Sequence, residues 1–152
     1  MRVKPIRLAL FVALCWVPGC GWMGGAVTRN ISNGAELGPE WKVFALAPPL
    51  EVSRVGQSVE VTIDGVRDWT EPHGALLLGD GSQVQVDVEL RDQQGAWHRL
   101  VAKTLGRSVG FGPETAEAGA GFSAHRRFVE LRMRSSKAVR AKSIEWYCWT
   151  DK

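Results

Sequence analysis

The chain has 152 residues, 19 of them basic and 16 acidic, for a formal net charge of +3. Three of the basic residues, Arg2, Lys4 and Arg7, precede an apolar run at 8–17 and belong to a segment of secretion-signal form, which leaves 16 basic against 16 acidic residues beyond it. A neutral chain of that length holds one domain with a core, is too short for two typical domains, and lacks the basic excess that marks nucleic-acid binding.

The apolar run at 8–17 is about half the roughly 20 residues a spanning helix needs. The basic residues before it favour a cytoplasmic amino end. The run ends in Val17-Pro18-Gly19-Cys20. This stretch resembles the lipobox of bacterial lipoproteins. The resemblance implies that residues 1–19 are removed, that the Cys20 thiol carries diacylglycerol, and that the new amino terminus is acylated. The membrane is then a partner through the lipid anchor. Cys15 fits less well, because the bulky Leu14 stands where the pattern takes a small residue. Gly21 stands where an Asp would retain a Gram-negative lipoprotein in the inner membrane, so in a cell with an outer membrane the resemblance implies that membrane. An ordinary signal peptide with a nearby cysteine is the alternative.

Residues 20–40 are rich in Gly and small polar residues and read as the lipidated cysteine followed by a flexible tether spanning about 25 Å. From residue 41 to 152 the pattern is alternation. Val59, Val61 and Ile63 alternate with polar residues, as do Val84, Val86, Val88 and Leu90. Period two predicts half-buried strands. Turn residues at Asp92-Gln93-Gln94-Gly95 predict a hairpin returning through 97–105, and Asp80-Gly81 predicts another turn. Residues 106–124 hold five glycines and read as a long loop.

Val129, Leu131 and Met133 then form a further alternating strand. In the last segment Val139 and Ala141 lie on one parity, and Ile144, Trp146 and Cys148 on the other. A bulge near Lys142 would restore one inward face and turn Glu145, Tyr147 and Trp149 outward. The whole reads as an all-β, antiparallel β-sandwich, with a closed β-barrel as the alternative. Residues 126–149, an alternating strand ending in Arg-x-Arg-Ser, a short turn and a closing strand with Ile-x-Trp, resemble the end of a galactose-binding-like jelly roll. The ligand loops of that family vary, so the resemblance implies a fold and transfers no site residue.

Six tryptophans follow the signal. Trp97 and Trp146 are expected in the core. Trp69 and His73 share the polar loop Asp68-Trp69-Thr70-Glu71-Pro72-His73-Gly74 and are candidate ligand-binding residues; the alternative is a Trp69 folded back to cap the core. Tyr147 and Trp149 are a second candidate site, an exposed aromatic pair suited to a ligand or a protein contact. His98 is expected to be structural. If Cys20 is acylated, Cys148 has no partner and is expected to be buried. Residues 121–152 carry eight basic and three acidic side chains, which are expected to pair with acidic neighbours across a sheet.

His73, His98 and His125 form no local metal motif, and no cofactor is implied. Asp64, Asp68, Glu71 and Asp80 offer carboxylates to a structural calcium without a spacing that demands one. No nucleophile elbow, phosphate loop or His-Glu-x-x-His is present. The function expected is a non-catalytic binding or assembly module of the cell envelope, with an envelope protein or glycan as partner. A carbohydrate-binding module and a hydrolase of envelope polymers are the alternatives.

Overall fold

The computed structural model describes residues 25–52, 56–70, 75–113 and 126–150, and every regular element among them is a β-strand. In chain order these are β1 (Gly25–Ser32), β2 (Ala35–Leu37), β3 (Lys42–Glu51), β4 (Gly56–Ile63), β5 (Val66–Trp69) and β6 (Leu76–Leu78). They continue with β7 (Gln83–Val84), β8 (Val86–Asp92), β9 (Trp97–Leu105), β10 (Val109–Pro113), β11 (Arg127–Ser135) and β12 (Val139–Thr150).

The strands form because their apolar residues recur at period two, and that period gives each strand one dry face. In β4 the dry residues are Val59, Val61 and Ile63; in β8, Val88 and Leu90; in β9, Leu100 and Ala102. In β11 they are Phe128, Leu131 and Met133, and in β12 Ile144, Trp146 and Cys148. Together they make one core. Each large apolar side chain buried there contributes about 1.5–3 kcal/mol before the entropy of ordering it.

Every strand pair is antiparallel. The large sheet runs β1-β12-β4-β10-β9-β8-β11-β3, with β2 also paired to β12, and a small sheet runs β5-β6-β7. Strands β8, β9 and β10 follow one another as a meander, and β11 returns to lie beside β8, which is a Greek key. The large sheet curls until its edges nearly meet. Arg29 of β1 donates to the carbonyl of Pro48 on β3, and the Cys148 thiol lies 4.0 Å from the Glu51 carbonyl. The antiparallel all-β fold is the one expected; the curl gives its larger sheet the barrel-like form of the alternative.

The bulge expected near Lys142 is present, as a register shift against β4 between Ala141 and Ser143. It turns Ile144, Trp146 and Cys148 inward as expected. The expected hairpin is β8–β9, with Gly95 at φ +92° in its turn, a conformation that favours glycine. Asp80-Gly81 also turns the chain, with Gly81 at φ +82°.

Three expectations need correction. Residues 25–37, read as part of the tether, are β1 and β2, paired along β12. Half of the β1 residues are exposed and none is buried, so its pairing rests on the backbone and leaves no apolar alternation to read. Residues 109–113 of the expected long loop are β10, which buries Val109 and Phe111 between β4 and β9. Finally, the run from Val84 to Leu90 breaks at Gln85, where the chain passes from the small sheet to the large one.

Candidate functional site

Opposite charges face each other across β8 and β11. The register sets Asp87 opposite Arg134, Glu89 opposite Arg132 and Arg91 opposite Glu130. All six side chains point away from the core, and each pair is closed by a bond. Arg132 Nε donates to Glu89 Oε2 at 2.6 Å, Arg134 Nε to Asp87 Oδ2 at 2.8 Å, and Arg91 Nη1 to Glu130 Oε2 at 3.0 Å. The basic residues of this last part of the chain thus pair with acidic strand neighbours, as expected from the charge distribution.

Two tryptophans complete this face. Trp41 stands just before β3, and Trp97 opens β9. The Arg132 guanidinium lies 4.0 Å from the Trp97 ring centre and 4.4 Å from that of Trp41. Arg134 lies 4.5 Å from the Trp41 ring and Arg91 5.8 Å from Trp97. The order is Arg91, Trp97, Arg132, Trp41, Arg134, alternating cation and ring across four strands or their ends. Each contact is worth about 0.5–1 kcal/mol when exposed and more when desolvated. Trp97 was expected in the core. It lies instead on the opposite parity from buried Leu100 and Ala102, where it is half-buried against arginine.

Beside the end of this ladder a groove of about 520 Å³ opens, lined among others by Trp41, Gln85, Asp87, Arg99, Arg134 and Ser136. Its rim is fixed by backbone: Ser136 N donates to the Gln85 carbonyl at 2.9 Å, and Gln85 N to Ser136 Oγ at 3.0 Å. Arg99 Nη2 is 3.6 Å from Asp87 Oδ1, the carboxylate that Arg134 also holds. Two guanidiniums therefore share one carboxylate in the groove.

The second outer face is that of β12 and β4. Tyr147 and Trp149 point outward, as expected, with ring centres 4.8 Å apart at 66°. Trp149 is 40% exposed and lies over Gly56 of β4, where an added Cβ would come within 3.3 Å of its ring. Glu60, two residues further along the same face of β4 than Ser58, accepts from the hydroxyls of Ser58 and Ser108, both at 2.7 Å.

The remaining candidates are dispersed. Trp69 ends β5 in the small sheet, half-buried and packed against the core, whereas Tyr147 and Trp149 belong to the large sheet. Its backbone N–H donates to Asp68 Oδ1 at 2.8 Å. His73 and Cys20 lie outside the described residues. Cys148 is a buried free thiol, as expected.

His98 belongs to a buried polar cluster at the β8–β9 turn. Asp92 is only 4% exposed. Its Oδ1 accepts from the N–H groups of Gln94 at 3.0 Å and Ala96 at 2.9 Å, and its Oδ2 lies 2.8 Å from His98 Nε2. Burial opposes the Asp92 charge, but the His98 bond, the two backbone N–H groups and the His98 charge outweigh it and hold the carboxyl below its ordinary range. His98 also meets Phe128 edge-on, with ring centres 5.7 Å apart. This cluster ties the hairpin turn to the core, the structural role expected of His98.

Among the described residues no group of three or more His, Cys, Asp or Glu side chains is placed to hold a metal ion. No helix among them is long and apolar enough to cross a membrane. No protein-family model, curated protein or solved structure matches this chain.

The sequence reading passed over Trp41, Gln85, Arg99 and Arg134. A signal for them was present: Asp87-x-Glu89 and Arg132-x-Arg134 put opposite charges on the outward parity of two strands. What it lacked was the register that makes those strands neighbours.

Proposed function

We propose that the protein is a lipid-anchored lipoprotein of the cell envelope whose β domain is a non-catalytic binding module. The anchor rests on the lipobox-like stretch ending at Cys20. The binding role rests on one observation, the groove beside Trp41. There an indole, two guanidiniums, an amide and a hydroxyl converge on strands whose side chains are already locked by ion pairs and ring contacts. Such prior ordering lowers the entropy cost of binding.

Carbohydrate binding is the more specific second reading, and Trp41 favours it, because the C–H faces of a sugar pack on an aromatic ring while its hydroxyls take polar partners. A hydrolase gains less. It needs two carboxylates committed to the substrate, whereas Asp87 and Glu89 are bonded to Arg134 and Arg132. The Tyr147–Trp149 face is the place where a protein partner would sit.

The anchor is tested by intact mass of the protein extracted from membranes, wild type and Cys20→Ser. The expected species begins at Cys20 and carries acyl chains, and the variant lacks them. An unlipidated wild-type mass would remove the anchor and leave Cys20 free to pair with Cys148.

A further inference from the structure

We infer that the groove beside Trp41 binds an acidic saccharide, a sugar bearing a carboxylate. The inference rests on reading that groove as the binding site of the module.

Charge is the first argument. Glu89 is committed to Arg132 by the 2.6 Å bond and a second ion-pair contact. Asp87 alone serves both Arg134 and Arg99. The lining itself is balanced, Asp87 and Glu89 against Arg99 and Arg134; with Arg132, which holds Glu89 from beside the groove, the cluster carries one guanidinium charge in excess, and a monoanion would balance it.

Donor geometry is the second. Arg134 spends its Nε on Asp87. Its two Nη groups have no bonded partner among the described residues. Among the described residues Arg99 is held by one 3.6 Å contact, and its side chain is 58% exposed. A guanidinium matches a carboxylate with two parallel N–H donors, and two such forks stand at one groove here.

Size and surface are the third. A volume of about 520 Å³ is far more than an inorganic anion fills and falls within the range of about 300–1,000 Å³ usual for small-ligand sites. Trp41 gives it an apolar wall, and Gln85 and Ser136 give amide and hydroxyl groups to meet sugar hydroxyls. The Trp41 ring is held by Arg132 and Arg134, so the wall is rigid before a ligand arrives.

The test uses the full protein extracted in detergent. Trigalacturonate, N-acetylneuraminate and N-acetylmuramate are the acidic probes, maltotriose the neutral one, and sodium acetate and inorganic phosphate the simple anions. Binding is read by calorimetry and by tryptophan fluorescence. At least one acidic probe is expected to bind tenfold or more tightly than maltotriose and both simple anions. Arg99→Gln should weaken it at least tenfold, and Trp41→Ala should remove it. Arg99→Gln changes an exposed side chain, and its melting curve, expected to match wild type, shows that it folds.

Maltotriose binding as tight as the acids, unchanged by Arg99→Gln, would overturn the acidic class and leave the binding module standing. Acetate or phosphate binding equal to that of the sugars would reduce the groove to a simple anion site. No binding by any probe would overturn both the ligand class and the use of this groove. Failure of lipidation at Cys20, read by mass on the same preparation, bears on the anchor alone.

Discussion

The two outer faces of the large sheet stand on one core and are finished by different means. Across β8 and β11 the outward charges are answered in pairs, Glu89 by Arg132 and Asp87 by Arg134, and Arg132 and Arg134 in turn meet Trp41 and Trp97. Across β12 and β4 the surface is an aromatic pair leaning on a glycine, with Glu60 held by two serine hydroxyls. Charges and rings that order one another give the first face a fixed shape with polar groups aimed outward. The second face offers exposed ring area at one end, and Glu60, Ser58 and Ser108 beside it are turned onto one another. Rigid polar shape suits a small polar ligand; ring area suits a broad contact.

The largest effect should come from the layer both faces share. Leu131→Ala, beneath the arginine ladder, and Ile144→Ala, on the inward face of β12, should each cost about 2–5 kcal/mol. Both residues are fully buried in the one core. Urea unfolding should show a single transition for each variant. Two transitions, or loss confined to one variant, would mean that the halves fold separately.

Asp92→Asn should cost about 1–3 kcal/mol at neutral pH, because it weakens a buried acceptor of three bonds. Its pH dependence follows from the lowered carboxyl. The unfolded chain binds that proton near pH 3.9, the folded chain only at lower pH. The stabilisation is therefore complete above the unfolded value and is lost as pH falls through the folded one. Unfolding free energies measured from neutral to acid pH should fall less steeply for Asp92→Asn than for wild type below about pH 4.

The ladder itself should show coupling. In a double-mutant cycle of Arg132→Met and Glu89→Gln, the interaction energy is expected at about 1–2 kcal/mol, above the usual exposed pair, because both side chains are mostly covered. Added salt should reduce it only partly. Coupling of a few tenths would mean that the ladder is ornamental to stability. The smallest effect is expected on the other face, where Tyr147→Ala and Trp149→Ala should couple by about 0.5–1.5 kcal/mol.

Strands with one dry face were legible because alternation is local. Val59-Val61-Ile63 and the β8–β9 hairpin needed only their own residues, and the phase change after Ala141 disclosed the bulge at Lys142. Trp97 was misread although its parity relative to Leu100 already placed it outward. Strands β1 and β10 were hidden for a different reason. One is an edge held through its backbone on β12, and the other is five residues long with two glycines. The candidate site was least legible. Trp41 and Arg132 are 91 positions apart, and only the β3–β11 register brings them together.

The start of β1 at Gly25 sets a leash length. Cys20 is five residues away, and five residues fully stretched reach at most about 18 Å. A domain acylated at Cys20 would ride close over the bilayer, turning toward it the pole where Gly25 pairs with Thr150. From that pole β12 runs back to Val139, next to the turn that carries Ser136. Its 12 residues at about 3.3 Å each put the groove about 35–40 Å along the strand from the tethered end. On a leash this short the Trp41 groove would lie at the pole away from the anchored end, beyond the headgroups.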